Sequence, residues 1–269
     1  PTCPSNSGSV NGRIRARRRF AATPWSVVTP VPHGLRVCRT DCGGPRTNVL
    51  RSVPMTVTAA SSDLTLYVES KFVSPYVFAC FVTLTEKGLP FSMQPLDTAS
   101  GDTKRDEYLA RTITGRVPSL AHGAFAVAES SAIIEYLDEA FPAVPVLPKP
   151  LQARARARQL MSWMRSDDTA IIREERSTTT MFYAPATAAL SAKARLAADK
   201  LVRVAERMLE GNPTHLFGDW SIVDAELAFM LHRLILNGDS VPSHVKSWAE
   251  SEWRRPSVAK FVGLERPKA

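Results

Sequence analysis

The sequence predicts an α/β domain of order β-α-β-(helix or loop)-β-β-α followed by an all-α domain. Three observations carry this. Between residues 64 and 141 short β-rich runs alternate with helical periods. A proline-rich stretch, FPAVPVLPKP, follows. Beyond it apolar residues recur at three-to-four spacing almost to the end. A chain of 269 residues, 44% hydrophobic and 22% charged, has ordinary globular composition and length for about two domains. The expected ranges are 62–144 and 150–266, with residues 1–60 as an extension.

The first element is LTLYV from Leu64, a strand. Ser74-Pro75 then precedes YVFACFVTLTEKGL, where serine as N-cap and proline at the first helical position start a helix and Gly88 ends it. LPFSMQPLD reads as a second strand. GDTKRDEYLART is polar and is left as helix or loop. VPSL and AFAVAES flank the turn residues His122 and Gly123 and give a pair of strands. Ser130 to Phe141 is amphipathic, with Ile133, Ile134, Leu137 and Phe141 on one face.

After the proline-rich linker, QARARARQLMSWMRS, SAKARLAADKLVRVAERMLEG and SIVDAELAFMLHRLIL are helical. Ser221-Ile-Val-Asp224 fits a capping box.

The formal charge of +8 suggests an anionic partner until it is located. Residues 1–54 hold nine arginines, no lysine and one acid, Asp41, so 9 − 1 = +8; the remainder carries 25 basic and 25 acidic residues. With repeated Pro, Ser and Gly and no apolar period, this stretch cannot bury enough surface to offset ordering entropy and reads as disordered. Met55 opens MTVTAASSDLTLYVES just ahead of the first strand. The stretch is therefore read as translated upstream sequence, as an Arg-rich targeting segment, or as a nucleic-acid-binding arm, the last carried by the arginines alone. Nucleic acid is not the expected partner. No apolar run approaches the roughly 20 residues of a membrane helix, so no membrane association is expected.

Three of the four cysteines, Cys3, Cys38 and Cys42, lie in the extension, and CRTDC lacks a second ligand pair at zinc-site spacing. Cys80, in FACFVTL, reads as a buried structural thiol. His122 and His215 fall at turns without metal-ligand spacing. No metal and no disulfide framework are expected, and a cytoplasmic, reducing compartment fits.

One stretch needs a reason of its own. In TGRVPSLAHGAFAVAESSAIIEYL a proline opens a strand, and Glu-Ser-Ser opens a helix eleven residues later. Proline in sheets is confined to strand starts, edges and bulges. RVPSL, AESSAIIEYLDEAFP and LFGDWSIVDAELAFML, in this order, resemble the glutathione transferases over roughly residues 62–265. SPYVFACFVTLTEKGL, RARARQLMSWMRSD, IREERST and WRRPSV are similar to the bacterial YfcF-type subgroup.

That resemblance implies a thioredoxin-like first domain, an all-helical second domain and glutathione as co-substrate. It implies a cis Val117-Pro118 bond, with the Val117 backbone pairing strand-fashion with the cysteinyl part of glutathione. It implies that Ser130 and the amides of its helix receive the γ-glutamyl carboxylate, while Glu129 accepts from the α-ammonium. Ser74 is the candidate catalytic hydroxyl that stabilises the glutathione thiolate; serine rather than cysteine before Pro-Tyr disfavours cysteine-type deglutathionylation. In other serine-type members the hydroxyl lies a few residues earlier, near Ser70, Lys71 or Phe72, which leaves Ser74 open to a purely capping role. Tyr76, Arg173 and Arg176 are candidates for the electrophile pocket, the arginines to bind the glycine carboxylate or an acidic co-substrate, with core packing as the alternative for Tyr76 and ion pairs to Glu174 and Glu175 as the alternatives for the arginines.

The expected function is glutathione-dependent thiolate attack on an electrophile, or reduction of organic hydroperoxides, by a homodimer. A non-catalytic family member acting as a protein-binding module is the alternative.

Overall fold

A computed structural model describes residues 63–268; the expectations for the arginine-rich extension lie outside them. Among the described residues one four-stranded sheet has the order β2-β1-β3-β4, from β1 (Leu64–Glu69), β2 (Ser92–Leu96), β3 (Ser119–His122) and β4 (Phe125–Ala128). β1 and β2 are parallel, and β3 runs antiparallel to both β1 and β4. β2 is narrower than the run that predicts it and holds Pro95, which an edge strand tolerates. Gly123, at φ 57°, takes the first position of the two-residue turn between β3 and β4, where a side chain would be strained.

Helix α1 (Pro75–Glu86) crosses between β1 and β2. It is apolar nearly all round, because it is covered on every side: by β1, by α3 (Ser130–Ala140) and by two helices of the second domain. The polar segment left open as helix or loop is both: a 3₁₀ turn at Asp102–Lys104 and one α-turn, α2 (Asp106–Leu109). Tyr108 anchors it by donating to the Arg116 carbonyl at 2.7 Å and meeting the Ser119 hydroxyl at 2.9 Å.

The second domain consists of α4 (Leu151–Arg165), α5 (Ala170–Glu175), α6 (Thr178–Phe182), α7 (Ala192–Met208), α8 (Ile222–Ile235), α9 (Ser243–Trp253) and α10 (Pro256–Val262). α8 is its axis, buried continuously from Ile222 to Leu234. The Asp224 carboxylate accepts from the Ser221 amide (2.9 Å) and hydroxyl (2.8 Å) and from the Leu216 amide (2.8 Å), so the motif at 221–224 fixes both the helix start and the loop before it. Burial holds the Asp224 pKa above the usual carboxylate range.

The proline-rich linker is pinned. Lys87, buried at the end of α1, donates to the carbonyls of Phe141 (2.9 Å) and Val144 (2.5 Å) and pairs with Asp138. Asp138 in turn accepts from the Val146 amide and from Arg154 of α4, each at 2.8 Å.

One core histidine makes the fold sensitive to acid. His232 is buried on α8, donates from Nδ1 to the Ala228 carbonyl (2.8 Å) and stacks on Trp253 with ring centroids 4.0 Å apart. Burial pushes its pKa down to about 4. The unfolded chain, with a histidine near 6.5, then binds more protons than the native chain between those values, so stability is complete above about pH 6.5 and falls as pH drops toward 4. The loss attributable to this group is roughly 3 kcal/mol at most. Urea titrations at pH 7 and pH 4.5 should show a drop that His232→Leu reduces; an equal drop in the variant would remove His232 as the cause.

Candidate active site

The sheet register brings the candidate residues together. β3 opposes β1 with Tyr67 across from Ser119, and opposes β4 with Ser119 across from Ala128. The segment after β1 (70–74), the Val117-Pro118 step before β3 and Glu129-Ser130 after β4 therefore all emerge at one end of the sheet. The Val117-Pro118 bond is cis. A single sequence separation would not reveal this convergence; the antiparallel pairing creates it.

Ser74 caps α1. Its hydroxyl oxygen accepts from the amides of Tyr76 (3.3 Å) and Val77 (3.4 Å), which satisfies two of the helix's orphan donors and leaves the hydroxyl proton to donate elsewhere. Capping and donation to an anion are thus compatible in one side chain, at the positive end of a twelve-residue helix.

The loop leading to Ser74 is held by a residue that sequence reasoning passes over. Glu69 ends β1 and folds its carboxylate back, accepting from the Ser74 amide at 2.6 Å and from the Val73 amide. The chain turns there through Phe72, at φ 50°, a left-handed conformation uncommon outside glycine. The other Glu69 oxygen is buried without a partner among the described residues, and burial raises the carboxyl pKa against the opposing pull of the two amides and the Arg266 charge. Arg266 steadies the loop from the far side, donating to the Phe72 carbonyl at 3.2 Å while its guanidinium lies 3.9 Å from the Phe182 ring centroid.

Glu129 and Ser130 differ sharply. Glu129 is exposed, at φ 72° and ψ 116°, and makes no capping bond. A β-carbon in that region costs about 1–3 kcal/mol, and such strain clusters at functional sites. Ser130 is buried at the first position of α3, where its carbonyl meets the Cys80 thiol at 3.9 Å. Cys80 itself is fully buried, and burial drives its pKa well above the ordinary thiol range, so it is a structural thiol.

Beside Ser74 lies a narrow cleft lined by Tyr76 and Phe78 of α1, by Met164, Arg165 and Arg173, and by Glu226, Phe229 and Met230 of α8. Tyr76 and Arg173 are brought to the cleft. Arg176 is not: it is buried and its guanidinium grips Asp239 at 2.5 and 3.1 Å while donating to the Ala188 carbonyl at 3.1 Å. The pairing of Arg176 with Glu174 or Glu175 is likewise corrected, since its acidic partner lies 63 residues on. Glu175 instead accepts from Ser191, the cap of α7, at 2.5 and 2.8 Å.

The reading of His215 as a turn residue without partner ligands in metal spacing is also corrected. Its ring lies 3.2 Å from Glu252 and 3.9 Å from Asp224, and these are the residues, among those described, that draw three candidate metal ligands together. Asp224 is engaged by Leu216 and Ser221, and Glu252 accepts from the Trp220 indole at 3.0 Å, so the trio serves as the polar anchor beneath α8. His122 meets the Tyr136 hydroxyl at 2.7 Å. Among the described residues no helix is long and apolar enough to cross a membrane.

The comparisons with known proteins agree with this layout. Residues 73–140 match the family model described as "Glutathione S-transferase, N-terminal domain", and residues 150–266 match "Glutathione S-transferase, C-terminal domain". The solved structure of a Burkholderia glutathione transferase homologue with bound glutathione is 38% identical, with a TM-score of 0.60 over 74% of this chain and 95% of that one. A theta class glutathione S-transferase from Xanthomonas axonopodis, also with glutathione bound, is 21% identical with a TM-score of 0.62 and speaks for the fold alone. Among curated proteins, Glutathione S-transferase 1 of Dianthus caryophyllus is 43% identical over 74 residues, 28% of this chain and 34% of that protein. Human glutathione S-transferase theta-2 is 33% identical over 86 residues, 32% and 35% of the two chains. The chain thus spans about a third of the length of these curated relatives.

Proposed function

The chain belongs to the glutathione S-transferase family, and from that premise we propose that it is a glutathione transferase that stabilises the glutathione thiolate for attack on an electrophile or for reduction of organic hydroperoxides. The supporting observation is the convergence of Ser74, Val117-Pro118 and Glu129-Ser130 at one end of the sheet, beside the cleft. The proposed roles follow from the donor and acceptor inventory. Glu129 accepts from the α-ammonium of glutathione, Ser130 and the first amides of α3 receive the adjacent carboxylate, and the Val117 backbone pairs with the cysteinyl residue. Ser74 donates its hydroxyl proton toward the sulfur, and the positive end of α1 favours the anion. Catalysis is then positioning plus thiolate stabilisation, without a covalent enzyme intermediate. In the peroxidase reaction two glutathiones are oxidised to the disulfide while the hydroperoxide is reduced to an alcohol and water.

The YfcF-type subgroup and a homodimer belong to the same proposal. For the dimer, the support is edge strand β4, where the large apolar side chain of Phe125 is exposed, its ring tilted at 43° to that of Tyr136.

The test is calorimetric titration of glutathione into the full chain, followed by ultraviolet absorbance of the bound thiolate against pH. Binding with a thiol pKa below the free value of about 8.5 is expected. Ser74→Ala should return that pKa toward the free value and, by removing the cap, lower stability by roughly 0.5–2 kcal/mol. Ser74→Thr should keep most of both. No binding by the parent chain would overturn the proposal and favour the protein-binding alternative. A thiol pKa unchanged in Ser74→Ala would return the role to residues 70–72.

A further inference from the structure

The charges around the cleft do not balance. Arg165 and Glu226, both on its lining, form a two-pronged pair at 2.5 and 2.7 Å and cancel. Two further guanidinium groups have no carboxylate within ion-pair distance among the described side chains. Arg173, on the cleft wall, donates to the carbonyls of Met164 (2.9 Å) and Ser166 (3.2 Å) and to the Thr169 hydroxyl (2.5 Å), all neutral acceptors. Arg233 stands behind the wall, one turn along α8 from Phe229, whose ring centroid is 5.6 Å from its guanidinium carbon. It is 2% exposed, donates to the Arg176 carbonyl at 2.8 Å, and its Nε is buried without a partner.

A buried cation is costly unless paired, and arginine cannot discharge itself by losing a proton at physiological pH. Where an arginine in this region serves only to tie elements together, the fold supplies an acid: the adjacent Arg176 has Asp239. Arg233 and Arg173 instead add their fields. Burial and then the Arg173 charge bring the Arg233 pKa down to about 10, while Tyr76, also on the cleft wall, acts in the opposite sense. Among the described side chains no carboxylate supplies the counter-charge, which a bound anion would provide. The rest of the lining, Phe78, Met164, Phe229 and Met230, is apolar.

We infer that the cleft beside Ser74 takes a co-substrate with an apolar body and a carboxylate, the carboxylate lying against Arg173 with the charge of Arg233 behind it. This names the electrophile class for the proposed glutathione site and rests on that reading. Arg233 is a specificity-determining residue that acts through the field; Arg173 is the contact.

The test compares two ligands that share the glutathione part and need no turnover: S-(4-carboxybenzyl)glutathione and S-benzylglutathione, titrated calorimetrically into the full chain. The wild type should prefer the carboxylated ligand roughly 10- to 100-fold, the scale of one charge-assisted bond. Arg233→Met, which fills the space without charge, and Arg173→Gln should each erase most of the preference. Arg233→Lys should retain part of it. Equal or weaker binding of the carboxylated ligand by the wild type, or a preference intact in both charge-removing variants, would overturn the inference. Glutathione binding without any such preference would sink this inference and leave the proposed function standing, whereas failure of glutathione and both conjugates to bind would sink the two together.

Discussion

Glu129→Ala is expected to weaken glutathione binding by about 1.5–3 kcal/mol, or one to two orders of magnitude in Kd, the cost of one lost charge-assisted hydrogen bond. The side chain is exposed and makes no capping bond, so among the described residues no side-chain contact of Glu129 offsets its strained backbone. Alanine keeps the β-carbon and hence the strain, which makes the affinity change a reading of the carboxylate alone. Glu129→Gly separates the two effects. Glycine relieves a conformation costing about 1–3 kcal/mol and adds unfolded-state entropy worth about 0.4–1 kcal/mol, so the variant should unfold at a higher denaturant concentration while binding glutathione as poorly as the alanine variant. Stability and affinity moving in opposite directions is the expected signature of a residue kept for a ligand. Unchanged affinity in both variants would remove Glu129 from the site.

Phe78→Ala is expected to cost about 3–5 kcal/mol of stability, the largest single-residue effect foreseen. Phe78 is fully buried on α1 and lies between the rings of Phe229 on α8, at 4.6 Å, and Phe261 on α10, at 5.3 Å. Offset and edge contacts of this kind add to the area buried, and the partners belong to elements that cannot easily close the gap. The same ring lines the cleft, so S-benzylglutathione should bind more weakly as well. Equilibrium denaturation checks the first effect. A loss below about 1 kcal/mol, in the range of ordinary surface substitutions, would show that the neighbouring rings collapse into the space.

The fold was largely legible because its elements announce themselves locally. Ser74-Pro75, the alternation of LTLYV and the capping box at Ser221 each depend on neighbours within four residues. The candidate site was legible only by resemblance, since no local rule connects Glu129 with Ser74; the register of β3 does. What the sequence hides is of two kinds. Arg176 sits beside Glu174 and Glu175 yet pairs with Asp239, because it is the buried C-cap of a short helix and reaches across the core, while Glu174 is exposed. Glu69 looks like an ordinary polar strand end, and its return to the amides of Val73 and Ser74 depends on a left-handed Phe72 that no sequence pattern predicts. The trio of His215, Asp224 and Glu252 is invisible for the first reason, since the α8–α9 packing assembles it.

The grip on α1 has a consequence for how the molecule comes apart. Its start is held through Arg266 and the Phe72 carbonyl, its middle by Phe229 and Phe261, and its end by Glu86, which receives Arg255 at 2.7 and 2.8 Å together with the Ser257 hydroxyl. All of those partners come from the helical half. The helix therefore belongs to two cores at once, and neither core is complete without it. Where most two-domain proteins can release one domain while keeping the other, these two are joined into a single cooperative unit, and melting either abolishes the helix that Ser74 caps in the same step.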